Sequence, residues 1–247
     1  MPSWGGVTLP VPSVAVVIPF RDRGTDPLRQ LNLDCVVKHW CDVVPHNWVV
    51  FANSDGREGD AQFNRSAAYN SAVRGSKADV FVFTEADVIV PFHQVADAVM
   101  MAQERPGLVI PFDKYRYLGE EVSDRVRRGK LRPQDAEPQR VMWNGSSVGA
   151  VNVISRQAYD LVGGYDEQFE GSWYDDNAMA HAFAITCSPT RWIMGPVHHL
   201  YHLPGWRGDH LTEEDKAATI RNKFRLARYR KAGIPSEIRE LTMEGRS

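Results

Sequence analysis

Two acids close a hydrophobic run at Phe83-Thr84-Glu85-Ala86-Asp87. If the run is a strand, Glu85 and Asp87 stand one residue apart and point the same way. Carboxylates at the end of a buried strand are costly unless solvated, paired or bound to a cation. A hard divalent cation bridging them to a diphosphate would remove that cost, and an acidic turn is the plainer alternative. Further along stand His198, His199 and His202. His199 and His202 are three apart, so they can share one helical face or one side of a turn. Imidazole is a common transition-metal ligand.

Three other groups carry chemical potential. Pro19-Phe20-Arg21-Asp22-Arg23 ends an apolar run with two guanidinium groups, which suit a diphosphate or simply a solvated loop. Phe63-Asn64-Arg65 offers a ring and a cation that can sandwich a flat base, although a core Phe and an exposed Arg is the blander choice. Gly171-Ser172-Trp173-Tyr174-Asp175-Asp176-Asn177 puts two acids where a helix starts, favoured there by its dipole. A helix cap explains one acid. It does not explain the neighbouring Trp and Tyr, which make platforms for sugar rings.

The elements that position these groups follow from hydrophobic periodicity. Val14–Phe20, Trp48–Ala52, Val80–Thr84 and Leu108–Phe112 read as strands. Pro27–Trp40, Gln62–Arg74 and Phe92–Arg105 read as helices between them, the first with Leu28, Leu31 and Cys35 on one face. Such alternation predicts an α/β fold with a mostly parallel central sheet flanked by helices, in a single domain. Ligands of such sheets bind at the carboxyl ends of the strands, just after Phe20, Ala52 and Thr84. Residues 113–143 lose apolar periodicity and carry a basic run from Arg125 to Arg132, which predicts a loop that is either solvated or mobile and acceptor-facing. Strand character returns at Val148–Ser155, with Ser155 capping a short helix, and a last strand is expected at Trp192–Val197. Glu213–Lys231 reads as a helix with Ile220, Phe224 and Ala227 on one face. The division is an N-terminal extension (1–13), a main domain (14–210) and a C-terminal helical segment (211–247).

Composition sets bounds. The 247 residues suffice for one sizeable core. A formal net charge of −2 supplies no global field for nucleic acid or membrane, so any such affinity must come from a local patch. Three cysteines, Cys35, Cys41 and Cys187, lack zinc spacing and read as reduced thiols, which suggests a cytoplasmic setting. No apolar run reaches the ~20 residues that a membrane span needs, and the N-terminus has no secretory-signal pattern.

In this order, the motifs resemble the GT-A glycosyltransferases, in particular the β-1,4-galactosyltransferase group and related family 2 enzymes. That group shows a Pro-Phe-Arg-x-Arg strand end, Phe-Asn-Arg at a helix start, an acid-x-Asp metal motif, a Gly-Trp-Gly-Glu-Asp-Asp segment and a distal His. The resemblance spans about Val14 to His202. It implies a GT-A, Rossmann-like fold and a UDP-sugar hexosyltransferase needing Mn²⁺ or Mg²⁺. It implies that Pro19, Phe20, Arg21 and Arg23 line the diphosphate site, and that Phe63 and Arg65 hold the uracil. Glu85 would face the ribose or the metal surroundings. Asp87 and His202 would bind metal, with His199 where the galactosyltransferases carry a Met ligand. Trp173 and Asp175 would contact sugars and Asp176 would be the catalytic base. The chain departs from the pattern at Glu85, at Tyr174 in place of Gly, at Asp175 in place of Glu and at Asn177. Those changes bear on donor sugar and acceptor more than on reaction class.

Inversion with Asp176 as base is the expected route, with retention left open. The acceptor hydroxyl could belong to a glycan, a protein, a lipid carrier or a modified nucleic acid. A nucleotidyltransferase is the main rival, but it would carry a Gly-rich loop where Arg21-Asp22-Arg23-Gly24 stands. A non-catalytic sugar- or nucleic-acid-binding module is the other. The absence of an anchor in the sequence suggests a soluble prokaryotic or viral protein.

Overall fold

The computed structural model describes residues 11–143, 147–205 and 208–245. The chain opens with β1 (Val14–Pro19), α1 (Leu28–Val43), β2 (Trp48–Asn53), α2 (Arg65–Gly75), β3 (Val80–Thr84), β4 (Val88–Ile89), α3 (Phe92–Glu104) and β5 (Val109–Ile110). Next come β6 (Lys114–Tyr117), α4 (Glu120–Arg127), a 3₁₀ turn (Pro133–Asp135), β7 (Arg140–Trp143) and β8 (Val151–Ser155). The chain closes with α5 (Arg156–Val162), α6 (Asp175–Thr186), β9 (Arg191–Trp192), β10 (Pro196–His199), α7 (Glu213–Tyr229) and α8 (Pro235–Met243).

The central sheet has the order β2-β1-β3-β8-β5-β9. Neighbours pair in parallel except at β8, which runs antiparallel to both β3 and β5. β1, β3 and β8 are buried at every position, because both faces of the sheet are covered. α2 packs on β1 and β2, and α3 packs on β3, β5 and β8. A second sheet, β4-β10-β6-β7, stands beyond the carboxyl end of β3. Phe83 links the core to the site. Its ring lies 4.3 Å from that of Tyr69 and 5.2 Å from that of Tyr165, one residue before the strand ends. Truncating so buried a Phe costs about 3–5 kcal/mol.

Local chemistry fixes the helix starts. Asn64 accepts from the Ala67 amide, so α2 begins at Arg65 and not at Gln62 as periodicity predicts. Ser155 caps α5 as expected, accepting from the Ala158 amide. Thr212 and Asp215 form a reciprocal capping box on α7.

Several expectations need correction. α1 does not bury the Leu28-Leu31-Cys35 face: Leu31 is half exposed, and Asn32, Leu33, Val36 and Trp40 point inward. The polar Asn32 is buried because its amide donates to the Tyr201 carbonyl, tying α1 to the loop that follows β10. Residues 113–143 hold β6, α4, the 3₁₀ turn and β7 rather than an extended loop. The strand expected at Leu108–Phe112 shortens to β5, and that expected at Trp192–Val197 divides into β9 and β10. Most consequentially, Ile220, Phe224 and Ala227 do not face the core. α7 turns Ala218, Asn222, Leu226 and Tyr229 inward, and the expected apolar face lies outside. All three cysteines are free. Among the described residues no helix is long and apolar enough to cross a membrane.

Candidate active site

Asp87 lies in the turn between β3 and β4. The antiparallel register of β4 with β10 sets Val88 opposite His199. The Asp87 carbonyl then accepts from the Leu200 amide at 2.7 Å. This brings the Asp87 carboxylate against both histidines. Its Oδ2 is 3.1 Å from His202 Nε2, its Oδ1 is 3.8 Å from His199 Nε2, and the two Nε2 atoms are 3.2 Å apart. One ligand atom from each of Asp87, His199 and His202 falls within 4.8 Å of the others. The pair is not helical: His199 ends β10 and His202 follows in a loop. That loop is fixed by Asp26, which accepts from the Leu203 amide at 2.7 Å, and by Ser123, which accepts from the Tyr201 amide at 2.8 Å. His198 points away to Arg116, 3.3 Å off, as strand alternation requires, so it is not part of the cluster.

The donor set fits a divalent cation. His202 Nδ1 faces the Leu203 carbonyl at 2.7 Å, and a proton held there would free Nε2 to bind a cation. Burial drives His199 down to about 4, against the pull of Asp87, which keeps it neutral. Burial would raise Asp87, but His202, His199 and Arg29 overrule it and hold the carboxylate well below its usual range. Burial would likewise lower His202, and the Asp87 charge outweighs it and raises the imidazole. Asp87 Oδ1 is buried with no hydrogen-bond partner. A buried, unsatisfied carboxylate oxygen beside two imidazoles is well matched to a bound cation.

The second half of the site is a hub of acids on Arg65. Its Nε and Nη2 reach Asp175 Oδ2 at 2.9 and 2.6 Å, and Nη2 also reaches Asp176 Oδ2 at 2.8 Å. Nη1 pairs with Glu85. Glu85 and Asp87 therefore diverge, one toward Arg65 and the other toward the histidines, and do not share a direction as strand geometry suggested. Arg65 thus faces carboxylates. Burial, with Asp175 and Glu85 adding to it, pushes Asp176 up to about 7 even though Arg65 opposes the rise. Gly149 backs the carboxylate: a Cβ there would meet Asp176 Oδ2 at 2.5 Å. Only glycine allows that approach.

The turn before α6 is strained. Trp173 and Tyr174 both adopt left-handed backbone, with φ of 77° and 75°. The Asn222 amide of α7 holds it, donating to the carbonyls of Glu170, Ser172 and Trp173 at 2.8, 3.2 and 3.2 Å. The Trp173 side is left half exposed.

The strand-one arginines are braces in this structure. Arg21 pairs with Asp55 at 2.9 Å and donates to the Gly59 and Ala61 carbonyls, both at 2.6 Å. Arg23 donates to Asp215 at 3.1 Å and to the Asp60 carbonyl at 3.0 Å. Phe63 is half buried, with the Arg21 guanidinium 6.0 Å from its ring centre. Pro19 and Phe20 close β1, where the Phe20 amide donates to Asn53 at 2.9 Å. Arg29 is a cation that sequence reasoning missed. Its Nη1 stands 3.2 Å from Asp87 Oδ2 with its side chain 38% exposed. Arg23 and Arg29 line a polar cavity of about 80 Å³ together with Gln62, Ser172 and His210. Its signal was position alone, in the first turn of α1 beyond the end of β1. Tyr117 is a second omission, its ring 5.1 Å from that of His199.

No protein-family model matches the chain. No curated protein sequence matches it either. Among solved structures it is similar to glucosyl-3-phosphoglycerate synthase from Mycobacterium tuberculosis, a complex with Mn²⁺, UDP-glucose and phosphoglyceric acid. The TM-score is 0.51 at 14% identity, over 91% of this chain and 81% of that one. It is also similar to Drosophila β1,4-galactosyltransferase 7 with xylobiose (TM-score 0.42, 17% identity, 73% of this chain) and spans 63% of that catalytic domain. A mannosyltransferase from Pyrobaculum calidifontis, in complex with GDP-Man and Mn²⁺, aligns at TM-score 0.46 and 18% identity, over 94% of this chain and 70% of that one. The fold of this chain is the GT-A fold.

Proposed function

We propose that the chain is a metal-dependent glycosyltransferase that moves a sugar from a UDP-sugar to an acceptor hydroxyl with inversion. One observation carries this reading. Arg65 grips Asp176 and Glu85 together, and Glu85 stands two residues before Asp87 of the Asp87–His199–His202 cluster. A carboxylate near neutral pKa and a cation site are thereby set side by side at the carboxyl end of β3. The neighbour with Mn²⁺ and UDP-glucose supports it at the level of fold.

Asp87, His199 and His202 would hold Mn²⁺ or Mg²⁺, which supplies charge neutralisation to a departing diphosphate. Asp176 accepts the proton of the acceptor hydroxyl as that oxygen bonds to the anomeric carbon. The bond from that carbon to the diphosphate oxygen breaks, and UDP leaves with the electron pair. With its ordinary carboxylate range raised to about 7, Asp176 is a competent base near neutrality. Arg65 orients it and offsets the repulsion of Asp175 and Glu85. Trp173 offers the exposed ring on which a sugar stacks. Arg29 faces the diphosphate, and Phe63 lies along the base. Asp175 holds a sugar hydroxyl.

The test is UDP release from a panel of UDP-sugars with Mn²⁺ or Mg²⁺, followed by mass spectrometry of glycan, protein, lipid and nucleic-acid acceptors. Release that depends on metal and on acceptor supports the reading. UDP and UDP-sugar binding without turnover in every combination overturns it in favour of a binding module.

A further inference from the structure

α7 carries an apolar stripe on the side of the helix away from the core. Asn222 points inward to the Trp173 turn. At about 100° per residue, Ile220 and Phe224 stand roughly opposite it. Ile220 is 57% exposed and Phe224 71% exposed, and Ala227 is exposed in line with them. Apolar side chains at this helical spacing normally pack inward. Here the inward side is already filled by Ala218, Leu226 and Tyr229, so the stripe has no partner within the described fold.

The charge around the stripe is one-sided. Residues 221–231 contain six Lys or Arg and no Asp or Glu, in a chain of net charge −2. Arg225 and Arg228 turn to Asp166 and Glu244, at 2.5 and 2.9 Å. Lys216 and Arg221 pair with Glu213 and Glu214 at the start of the helix. Lys231 shares a groove with Glu237 and Glu240. Lys223 and Arg230 have no carboxylate partner among the described residues, and at about 100° per residue both lie along one flank of the stripe.

These features select among occupants. An antiparallel second copy of the helix would set this flank against its own counterpart, cation against cation, which disfavours self-pairing. A coiled-coil partner needs a seam sustained over several heptads, and a helix docked in a groove needs a run of large apolar anchors. Here only Ile220 and Phe224 have depth, and Ala217 and Ala227 end the stripe. A lipid headgroup layer imposes no register. It accepts shallow apolar insertion while long cations reach its phosphates.

We propose that the outward face of α7 docks the protein on an anionic lipid surface. Ile220 and Phe224 enter the headgroup layer, and Lys223 and Arg230 meet lipid phosphates. This is the local patch that an overall charge of −2 requires for any membrane affinity. It is independent of the chemistry at Asp176.

The experiment is co-sedimentation of the full chain with phosphatidylcholine vesicles and with phosphatidylcholine–phosphatidylserine vesicles. The wild type is expected to pellet with the anionic vesicles, to stay in solution with the neutral ones, and to be released by salt. Phe224→Ser and the pair Lys223→Glu, Arg230→Glu should each lower partition by at least about tenfold. Their side chains are exposed, so thermal melts and UDP affinity should match the wild type. A chain that stays in solution with both vesicles overturns the proposal and leaves an acidic protein as the partner for this face. Equal partition onto neutral and anionic vesicles, or unchanged partition of Phe224→Ser, overturns it as well.

Discussion

Arg65 and Asp176 meet at 2.8 Å through the same guanidinium nitrogen that holds Asp175 at 2.6 Å. Two adjacent acids on one helix start are thus tied to a single cation from α2, and the balance of their charges sets when Asp176 can take a proton.

That balance predicts a pH dependence. Asp176 is raised to about 7, so transfer should climb as pH rises through that value and the carboxylate forms. Arg65 opposes the rise, and replacing it with Gln should move the climbing limb to higher pH. Below the limb, each unit of displacement costs about tenfold in rate. Arg65→Lys should fall between the two. A pH–rate profile of the three proteins checks this. UDP affinity lost in Arg65→Gln, with the limb unmoved, would return Arg65 to the role of uracil contact.

The same shift has a stability consequence. An acid whose folded pKa lies above its unfolded value binds its proton more tightly when folded. Stability therefore falls as pH rises from the unfolded value, near 4, toward 7. Asp176→Asn removes that titration. It should melt higher than wild type above pH 7 while transfer drops about 10²–10⁴-fold. Melts at pH 5 and pH 8 should differ less in the variant than in the wild type.

Arg21 and Arg29 should separate. Arg21 braces a buried Asp55, so Arg21→Ala should destabilise the fold by about 3–5 kcal/mol. Arg29 is more exposed and faces the Asp87 carboxylate. Arg29→Ala should melt close to the wild type and lose about 1.5–3 kcal/mol of UDP affinity. Chemical denaturation and calorimetry on both variants test the distinction. UDP affinity unchanged in Arg29→Ala would remove it from the donor site.

Much of this arrangement is legible in the sequence. Asp87, His199 and His202 stand out because costly polar groups follow strongly apolar strands, and the strand ends of an α/β sheet are where ligands bind. The acids at the start of α6 are legible for another reason, because a helix cap explains one acid but not the Trp173 and Tyr174 beside the pair. Arg65 is visible, yet its partners are not, since they come from segments 20 and 110 residues away. Arg29 escapes because a single cation in a helix turn has no pattern. The segment around β6 and β7 escapes because strands as short as Lys114–Tyr117 alternate aromatic and charged residues rather than apolar and polar ones. On α7 the periodicity is genuine and the side is wrong. Spacing shows that Ile220 and Phe224 share a face, but the packed face is organised by Asn222, whose polarity hides it.

The Asp87–His199–His202 cluster makes a separate prediction. UDP affinity measured by calorimetry should be higher with Mn²⁺ than with excess chelator, and His202→Ala should remove most of the difference. His198→Gln should preserve it, because His198 faces Arg116 rather than Asp87. A loss equal in both variants would mean that the histidines act through folding.

The most direct test of the central claim is UDP release from UDP-sugars by the wild type and by Asp176→Asn, each with Mn²⁺ and with chelator. The account predicts acceptor-dependent release by the wild type with Mn²⁺, little with chelator, and near-normal UDP binding without turnover in Asp176→Asn. Turnover by Asp176→Asn at the wild-type rate, or wild-type release indifferent to chelator, would contradict it.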